Sequence, residues 1–294
     1  MTRLPGFTDH DVDVDGVRIH AAVGGSGPPL LLLHGYPQTH LMWHAVAPRL
    51  AARFTVVAAD LRGYGGSSRP PGGDDHAAYA KRAMAADQVG LMERLGFERF
   101  AVAGHDRGAR VVHRMCRDHP GRVTRAAVLD IVPTLHVFDH TDRALATAYY
   151  HWFFLSQPPD LPERLIGGAP EYYLRRCLAG WSRRDGAFDD GVVAEYVRAF
   201  ADPATIAATC EDYRAGASID LEHDRADPRR VACPLLVLWG ADGFVGRNYD
   251  VLGVWREQAT DPSLVSGRGL PGGHFVPEEA PEETFGELRA FFTG

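Results

Sequence analysis

Four consecutive leucines, Leu30 to Leu33, restrict most strongly how this chain of 294 residues can fold. No polar residue interrupts the run, so a strand built from it would have to be buried on both faces. Strands of this kind belong to parallel sheets that helices cover on each side. The run ends at His34-Gly35-Tyr36-Pro37, which predicts a loop at the carboxyl end of the strand.

Seven further short apolar runs fit strands, and most alternate with helical stretches. The first two flank Asp15-Gly16 and predict a hairpin. The seven runs are 12–14, 17–23, 54–59, 99–104, 125–129, 234–239 and 263–270, and the clearest helices are predicted over 81–95, 108–119 and 281–292. The chain therefore predicts an α/β fold, with a mostly parallel eight-stranded sheet and helices on both faces.

The alternation stops between residues 134 and 227, where the chain is helical, rich in aromatic residues and without a convincing strand. We expect a helical cap, or lid, over residues 134–227, inserted into a core formed by residues 1–133 and 228–294. Ligands of open α/β sheets bind outside the carboxyl ends of the strands. The loops after Leu33, Gly104 and Leu129 are therefore the first places to look for a site.

Composition and charge exclude several classes of protein. The formal net charge of −7, without a basic stripe, argues against nucleic-acid binding. Four scattered cysteines without a Cys-x-x-Cys pair predict neither a metal site nor a disulfide framework, and we expect no cofactor. No run is long enough to span a membrane, and residues 1–5 lack the apolar segment of a signal peptide, so we expect a cytoplasmic protein.

The segment Gly104-His105-Asp106-Arg107-Gly108 follows a predicted strand and begins a predicted helix. This is the context of a nucleophile elbow, whose glycines let the strand and the helix approach closely. The chain contains no Gly-x-Ser-x-Gly, so the predicted nucleophile is Asp106. A carboxylate displaces a group from saturated carbon and forms an ester that water hydrolyses, which suits carbon–halogen bonds and epoxides. The alternative is a helix-capping Asp in an ordinary turn.

The remaining machinery can be predicted from chain order. His274, after the last strand candidate, is the predicted base that activates water. Asp130, at the end of the run 125–129, is preferred as the acid that orients it, with Asp242 as the alternative. Two backbone N–H groups, those of Tyr36 and Arg107, are predicted to hold the oxyanion.

Several segments resemble those of the fluoroacetate dehalogenases, members of the α/β-hydrolase superfamily. They are 34–40 (HGYPQTH), 104–110 (GHDRGAR), 150–152 (YHW), 210–216 (CEDYRAG) and 273–275 (GHF). The resemblance covers nearly the whole chain and implies a homodimer that hydrolyses small halogenated anions. It also implies that Asp106 attacks the carbon that bears the halogen.

The resemblance implies roles for residues around the nucleophile as well. Arg107 and Arg110 would hold the substrate carboxylate, and their spacing of three in the first turn of a helix agrees with this. The departing halide would be stabilised by donors from the predicted lid, and Trp181 would line the pocket. The implied halide donors are His151, Trp152 and Tyr213.

Other readings remain open. Epoxide hydrolases share the Asp-His chemistry and use two lid tyrosines, for which Tyr213 and either Tyr149 or Tyr150 are candidates. Haloalkane dehalogenases usually carry Trp after the nucleophile, whereas this chain has Arg107. A non-catalytic binding protein on the same fold is a further alternative. The preferred halogen and the role of residues 243–250 are left open.

Overall fold

The structure is a computed structural model, and it describes residues 4–294. Residues 1–3, on which part of the expectation about the N-terminal segment rests, lie outside the described residues. Within the described range, no helix is both long and apolar enough to cross a membrane.

An eight-stranded sheet with the strand order β1-β2-β4-β3-β5-β6-β7-β8 forms the centre of the molecule. The pairs β1–β2 and β2–β4 are antiparallel, and the other pairs are parallel. This confirms the predicted mostly parallel sheet. The strands are β1 (Phe7–Val14), β2 (Val17–Gly24), β3 (Pro29–Leu33), β4 (Thr55–Ala59), β5 (Phe100–His105), β6 (Val123–Leu129), β7 (Leu235–Gly240) and β8 (Val265–Leu270).

The largest difference from the predicted strand bounds is at β1, which begins at Phe7 rather than at residue 12. β1 is an edge strand that pairs only with β2, and most of its side chains are exposed. Apolar patterning identifies strands by their buried faces, so a polar edge strand gives a weak signal. The central strand β3 shows the opposite case, because Leu30 to Leu33 are fully buried.

Helices cover the sheet and fill the stretch between β6 and β7. Three short 3-10 helices lie at His40–Trp43, Ala77–Tyr79 and Pro262–Leu264. The α-helices are α1 (Ala47–Leu50), α2 (Lys81–Arg94), α3 (Arg107–Asp118), α4 (Thr134–Asp139), α5 (Arg143–Ala148), α6 (Tyr150–Leu155), α7 (Leu161–Gly167), α8 (Pro170–Trp181), α9 (Asp190–Phe200), α10 (Pro203–Ala217), α11 (Ile219–Ala226), α12 (Phe244–Asn248), α13 (Val251–Glu257), α14 (Val276–Glu279) and α15 (Pro281–Thr293).

The segment from α4 to α11 is joined to the core by a buried cluster of charges around Asp212 of α10. The Asp212 carboxylate accepts hydrogen bonds from Lys81 of α2, Arg107 of α3 and the Tyr64 hydroxyl. Lys81 is the only lysine in the chain, and its side chain is buried. Because a buried charge is costly without a counterion, this cluster fixes α10 relative to α2 and α3.

Replacing Lys81 tests this junction. Lys81→Met removes the cation that pairs with Asp220 and one of the two cations that pair with Asp212. We therefore expect the free energy of unfolding to fall by about 3 kcal/mol. Urea denaturation measures the change. Arg143→Met, at an exposed arginine of α5, is the control and should change stability by less than about 0.5 kcal/mol. Equal losses in both variants would contradict a special role for the buried cluster.

Candidate active site

The predicted elbow joins β5 to α3 through a strained backbone at Asp106. Its φ is +46° and its ψ is −113°, a region that residues other than glycine rarely adopt. A Cβ atom at Gly104 would come within 2.6 Å of the Gly108 backbone, and one at Gly108 within 2.4 Å of the His34 oxygen. Both glycines are therefore required because helix and strand backbones meet here without room for side chains.

The Asp106 carboxylate is buried yet anionic. Its Oδ1 accepts a hydrogen bond of 2.9 Å from the backbone N–H of Tyr36, the loop residue predicted to hold an oxyanion. Burial by itself would raise the pKa of Asp106, but His274, His105, Arg110 and Arg107 outweigh it and lower the pKa to about 2. A carboxylate at this position is charged throughout the physiological range.

His274 lies between two carboxylates. Its Nδ1 is 2.6 Å from Oδ2 of Asp130, and its Nε2 is 3.9 Å from Oδ2 of Asp106. Oδ1 of Asp130 accepts the Gly240 N–H, so that carboxylate is held in place. Asp242, the alternative acid, instead accepts the Gly272 N–H at 3.3 Å. The structure thus brings Asp130 and not Asp242 to the histidine.

The pKa of His274 reflects this pairing. Burial opposes the imidazolium, but the hydrogen bond and charge of Asp130, with a contribution from Asp106, raise the pKa above its ordinary value. The proton on Nδ1 is directed to Asp130, so Nε2 is the atom that exchanges a proton on the side of Asp106. This is the arrangement that a water-activating base requires.

A cavity of about 260 Å³ opens onto Asp106 and His274. Asp106, Asp130 and His274 lie in its wall, together with His151, Trp152 and Trp181 from the segment between β6 and β7. The rest of the lining is Ala148, Tyr149, Gly180, Arg183, Asp242, Gly243, Phe244, Arg247 and Asn248. The volume suits a small molecule, and two arginines, Arg183 and Arg247, are part of the lining.

The predicted halide donors are close together. The ring centroids of His151 and Tyr213 are 5.7 Å apart, and those of Trp152 and Tyr213 are 6.4 Å apart. Within the described residues, neither the Tyr213 hydroxyl nor His151 Nδ1 has a hydrogen-bond partner, although both atoms are buried. Burial lowers the pKa of His151 to about 3, so its ring is neutral. Tyr213 itself lies outside the lining of the cavity.

The two predicted carboxylate-binding arginines are arranged differently from each other. Nε and Nη2 of Arg107 donate to Asp212, so half of its guanidinium is occupied by a counterion. Nη1 of Arg110 donates to the Val132 oxygen and the Thr134 hydroxyl, both neutral acceptors, and its Nε has no partner within residues 4–294. Neither arginine belongs to the lining of the cavity, because their side chains are almost fully buried behind it.

Sequence reasoning missed two residues that hold this site in place. Asp212 is the counterion of Arg107, and it lies in the segment 210–216, one of those that resemble the fluoroacetate dehalogenases. Glu279 accepts hydrogen bonds from the backbone N–H groups of Gly273 and Phe275, one on each side of His274. A Glu a few residues after a candidate histidine gives no distinctive pattern, so only the fold reveals this contact.

Residues 243–250, which had no predicted role, form part of the cavity wall. The short helix α12 presents Phe244, Arg247 and Asn248 to the cavity. Phe244 also packs against Tyr149, with 5.0 Å between ring centroids. Two aromatic residues, Phe244 and Tyr249, in the short stretch after the predicted strand 234–239 were the one sequence signal that could have suggested this.

Comparison with known proteins agrees with the fold. A family model of the alpha/beta hydrolase fold matches residues 28–281. A fluoroacetate dehalogenase from Burkholderia sp. is 50% identical over 98% of this chain and 94% of its own length. A soluble epoxide hydrolase from Corynebacterium sp. strain C12 is 36% identical over 97% of each chain.

A solved structure from Nostoc sp. PCC 7120, described as an alpha/beta hydrolase, superimposes with a TM-score of 0.97. It shares 58% identity, and 99% of each chain is covered. The chain therefore belongs to the α/β-hydrolase fold family. Among its relatives are both a dehalogenase and epoxide hydrolases.

The contact between His274 and Asp130 generates a prediction about protonation. In Asp130→Asn, His274 would lose the hydrogen bond and the charge that raise its pKa most, so the pKa of His274 should fall below its value in the parent protein, although Asp106 still opposes part of the effect of burial. The imidazolium would then be lost at lower pH than in the parent protein. NMR titration of the His274 ring measures this. Asp242→Asn is the matched control, and an equal shift in that variant would contradict the assignment.

Proposed function

We propose that this protein hydrolyses haloacetates, converting fluoroacetate to glycolate and fluoride and acting on chloroacetate as well. The observation that carries the proposal is a charged Asp106 in a strained elbow, with His274 and Asp130 behind it in the same cavity. The proposal is also supported by the fluoroacetate dehalogenase that is 50% identical over nearly the whole chain.

In the first step, a carboxylate oxygen of Asp106 attacks the carbon that bears the halogen. A carbon–oxygen bond forms while the carbon–halogen bond breaks, and the halogen leaves with the bonding electrons as halide. The low pKa of Asp106 supports this step, because the attacking group must be anionic. The product is an ester of Asp106.

In the second step, His274 accepts a proton from water, and the resulting hydroxide attacks the carbonyl carbon of the ester. The negative charge on the carbonyl oxygen would be stabilised by the N–H groups of Tyr36 and Arg107. The Tyr36 N–H already points to Oδ1 of Asp106 at 2.9 Å. Asp130 stabilises the imidazolium, which then returns its proton as glycolate leaves and Asp106 is regenerated.

The substrate carboxylate would be bound by the guanidinium groups behind the cavity wall. Arg110 donates hydrogen bonds only to neutral acceptors and has Asp106 as its main compensating charge, while Arg107 retains the Nη1 that Asp212 does not engage. A carboxylate satisfies such donors through charge-assisted hydrogen bonds. A small anion accordingly fits this part of the site better than a neutral substrate.

The departing halide would be stabilised by His151, Trp152 and Tyr213. Fluoride concentrates its charge on one atom, so several donors directed at one point are needed for its departure. The unpartnered Tyr213 hydroxyl and His151 Nδ1 support this role, because buried polar atoms normally have partners. Trp181, whose ring lies 4.4 Å from that of His151, would limit the size of the pocket.

We propose that residues 134–227 act as the lid of a core formed by residues 1–133 and 228–294. Support comes from the cavity lining, which combines side chains from both parts. We also propose a homodimer. The described large apolar side chains with the greatest exposure all belong to the proposed lid: Tyr150, Leu161, Leu165 and Tyr172. The cytoplasmic location stays a prediction.

Epoxide hydrolysis is the second candidate function. Tyr149 lines the cavity beside His151, and the Tyr213 hydroxyl has no partner among the described residues, so two tyrosines are available to protonate an epoxide oxygen. A relative 36% identical over 97% of the chain is a soluble epoxide hydrolase. The buried arginines favour the haloacetate instead, because an epoxide has no anionic group for them.

A substrate test separates these functions. Incubation with fluoroacetate, chloroacetate and a styrene-type epoxide should release halide from the haloacetates and yield little diol, as measured by ion chromatography and liquid chromatography. Asp106→Asn is the control and should release no halide. Diol formation without halide from any haloacetate would transfer the assignment to epoxide hydrolysis.

The covalent step can be tested separately. In His274→Asn the ester should form but not break down, so a chloroacetate-treated sample should carry an adduct on the peptide that contains Asp106. Mass spectrometry detects the adduct, and the double variant that also carries Asp106→Asn should lack it. During a single turnover of the parent enzyme in ¹⁸O-water, the first glycolate should be unlabelled. Label in that first product would rule out an ester at Asp106.

A further inference from the structure

Away from the cavity, two histidines lie together at the polar edge of the sheet. Among residues 4–294, one group of three side chains, His20, His40 and Asp60, has potential ligand atoms that all lie within 4.8 Å of one another. The ring centroids of His20 and His40 are 5.3 Å apart. Cysteine spacing predicted no metal site, and these three residues give no local pattern because they are far apart in the chain.

Each histidine has a carboxylate at its Nδ1. His40 Nδ1 is 2.9 Å from Oδ1 of Asp60, and His20 Nδ1 is 3.0 Å from Oδ1 of Asp11, its partner across the β1–β2 ladder. A carboxylate at Nδ1 fixes the proton on that nitrogen and leaves the Nε2 lone pair for a ligand. Histidines that bind metals are usually oriented by this kind of contact.

The surroundings also hold both rings in position. Besides His40 Nδ1, the Asp60 carboxylate accepts the backbone N–H groups of His40 and Gly66, so it orients His40 and has little capacity left as a ligand. The His20 ring lies against Gly66, where a Cβ atom would come within 2.7 Å of its Cγ. The glycine therefore leaves the space that this ring occupies.

A cleft of about 310 Å³ adjoins the two rings. Its lining includes the carboxylates of Asp9, Asp11 and Glu195, as well as the cations Arg18 and Arg198. Arg18 is paired with Asp11 at 3.1 Å. Glu195 and Arg198 belong to α9, whereas the histidines belong to β2 and to the 3-10 helix at His40–Trp43, so the cleft lies between the proposed lid and the core.

We propose that His20 and His40 bind one divalent transition-metal ion, such as Zn²⁺, through their Nε2 atoms, at a site independent of the proposed catalytic cavity. Zinc–nitrogen bonds of about 2.0–2.1 Å require the two nitrogens to lie roughly 3.4 Å apart, so a bound ion would draw the partly exposed His20 ring toward His40. Water from the cleft would complete the coordination, because Asp11 is bonded to His20 and Arg18, and Glu195 is paired with Arg198.

Calorimetric titration of untagged protein with Zn²⁺ tests the proposal. The titration uses a His136→Ala background, because His136 of α4 and His140, which follows the helix, stack at 4.1 Å and form a competing pair. One ion should bind per chain, and binding should raise the melting temperature. His20→Ala should abolish both effects, and Asp11→Asn should weaken binding about tenfold or more.

His10→Ala, at an exposed histidine of β1, is the matched control and should bind as the parent does. Absorption spectra of the Co²⁺ complex report separately whether histidine nitrogens are ligands. His20→Ala binding with unchanged affinity, or the absence of binding in the parent, would overturn the proposal. Because these readouts do not depend on turnover, they are unaffected if the haloacetate assignment is wrong.

Discussion

The close approach of α3 to the carboxyl ends of β3 and β5 is the constraint on which the candidate site depends. Gly104 and Gly108 allow the backbones to touch, and the turn between them holds Asp106 at a positive φ. Strain of this kind persists only where the surrounding structure enforces it. Here the enforcing structure is the buried sheet, because Gly108 N–H donates to the His34 oxygen at 2.9 Å and Asp106 N–H to the Leu129 oxygen at 3.2 Å. The same contacts that stabilise the fold therefore direct the Asp106 carboxylate to the Tyr36 N–H.

Two carboxylates that flank one histidine have different environments. Asp106 lies near His274 and both arginines, and its pKa is lowered to about 2 despite burial. Asp130 is bonded to His274 Nδ1 and to the Gly240 N–H, which fixes it as the orienting group. Since Nδ1 is engaged, the imidazole can exchange protons only through Nε2, on the side of Asp106. The chemical difference between the two acids thus follows from what surrounds each one, and their order in the chain does not determine it.

Local patterns in the sequence were sufficient for the sheet and the elbow, because both depend on short runs of residue types. Leu30 to Leu33 predicted a strand buried on both faces, and the glycines around Asp106 predicted a strand–helix junction. Long-range contacts gave no such signal. Asp212 is 105 positions from Arg107, and Glu279 holds the His274 loop through backbone groups that any residue provides. The length of the polar edge strand β1 was underestimated because most of its side chains are exposed, so they form no apolar pattern.

The electrostatics of the arginines explain why their partners matter as much as their positions. Asp212 neutralises Arg107, whereas Arg110 donates only to neutral oxygens, so burial lowers the pKa of Arg110 and Asp106 is the main charge that opposes the effect. In the proposed first step Asp106 becomes an uncharged ester, so Arg110 loses the negative charge that stabilised its cation. The carboxylate of an anionic substrate would supply a new counterion, whereas a neutral substrate would leave Arg110 buried without a counterion. The charge balance of the site therefore favours an anionic substrate at the stage when the nucleophile no longer carries its charge.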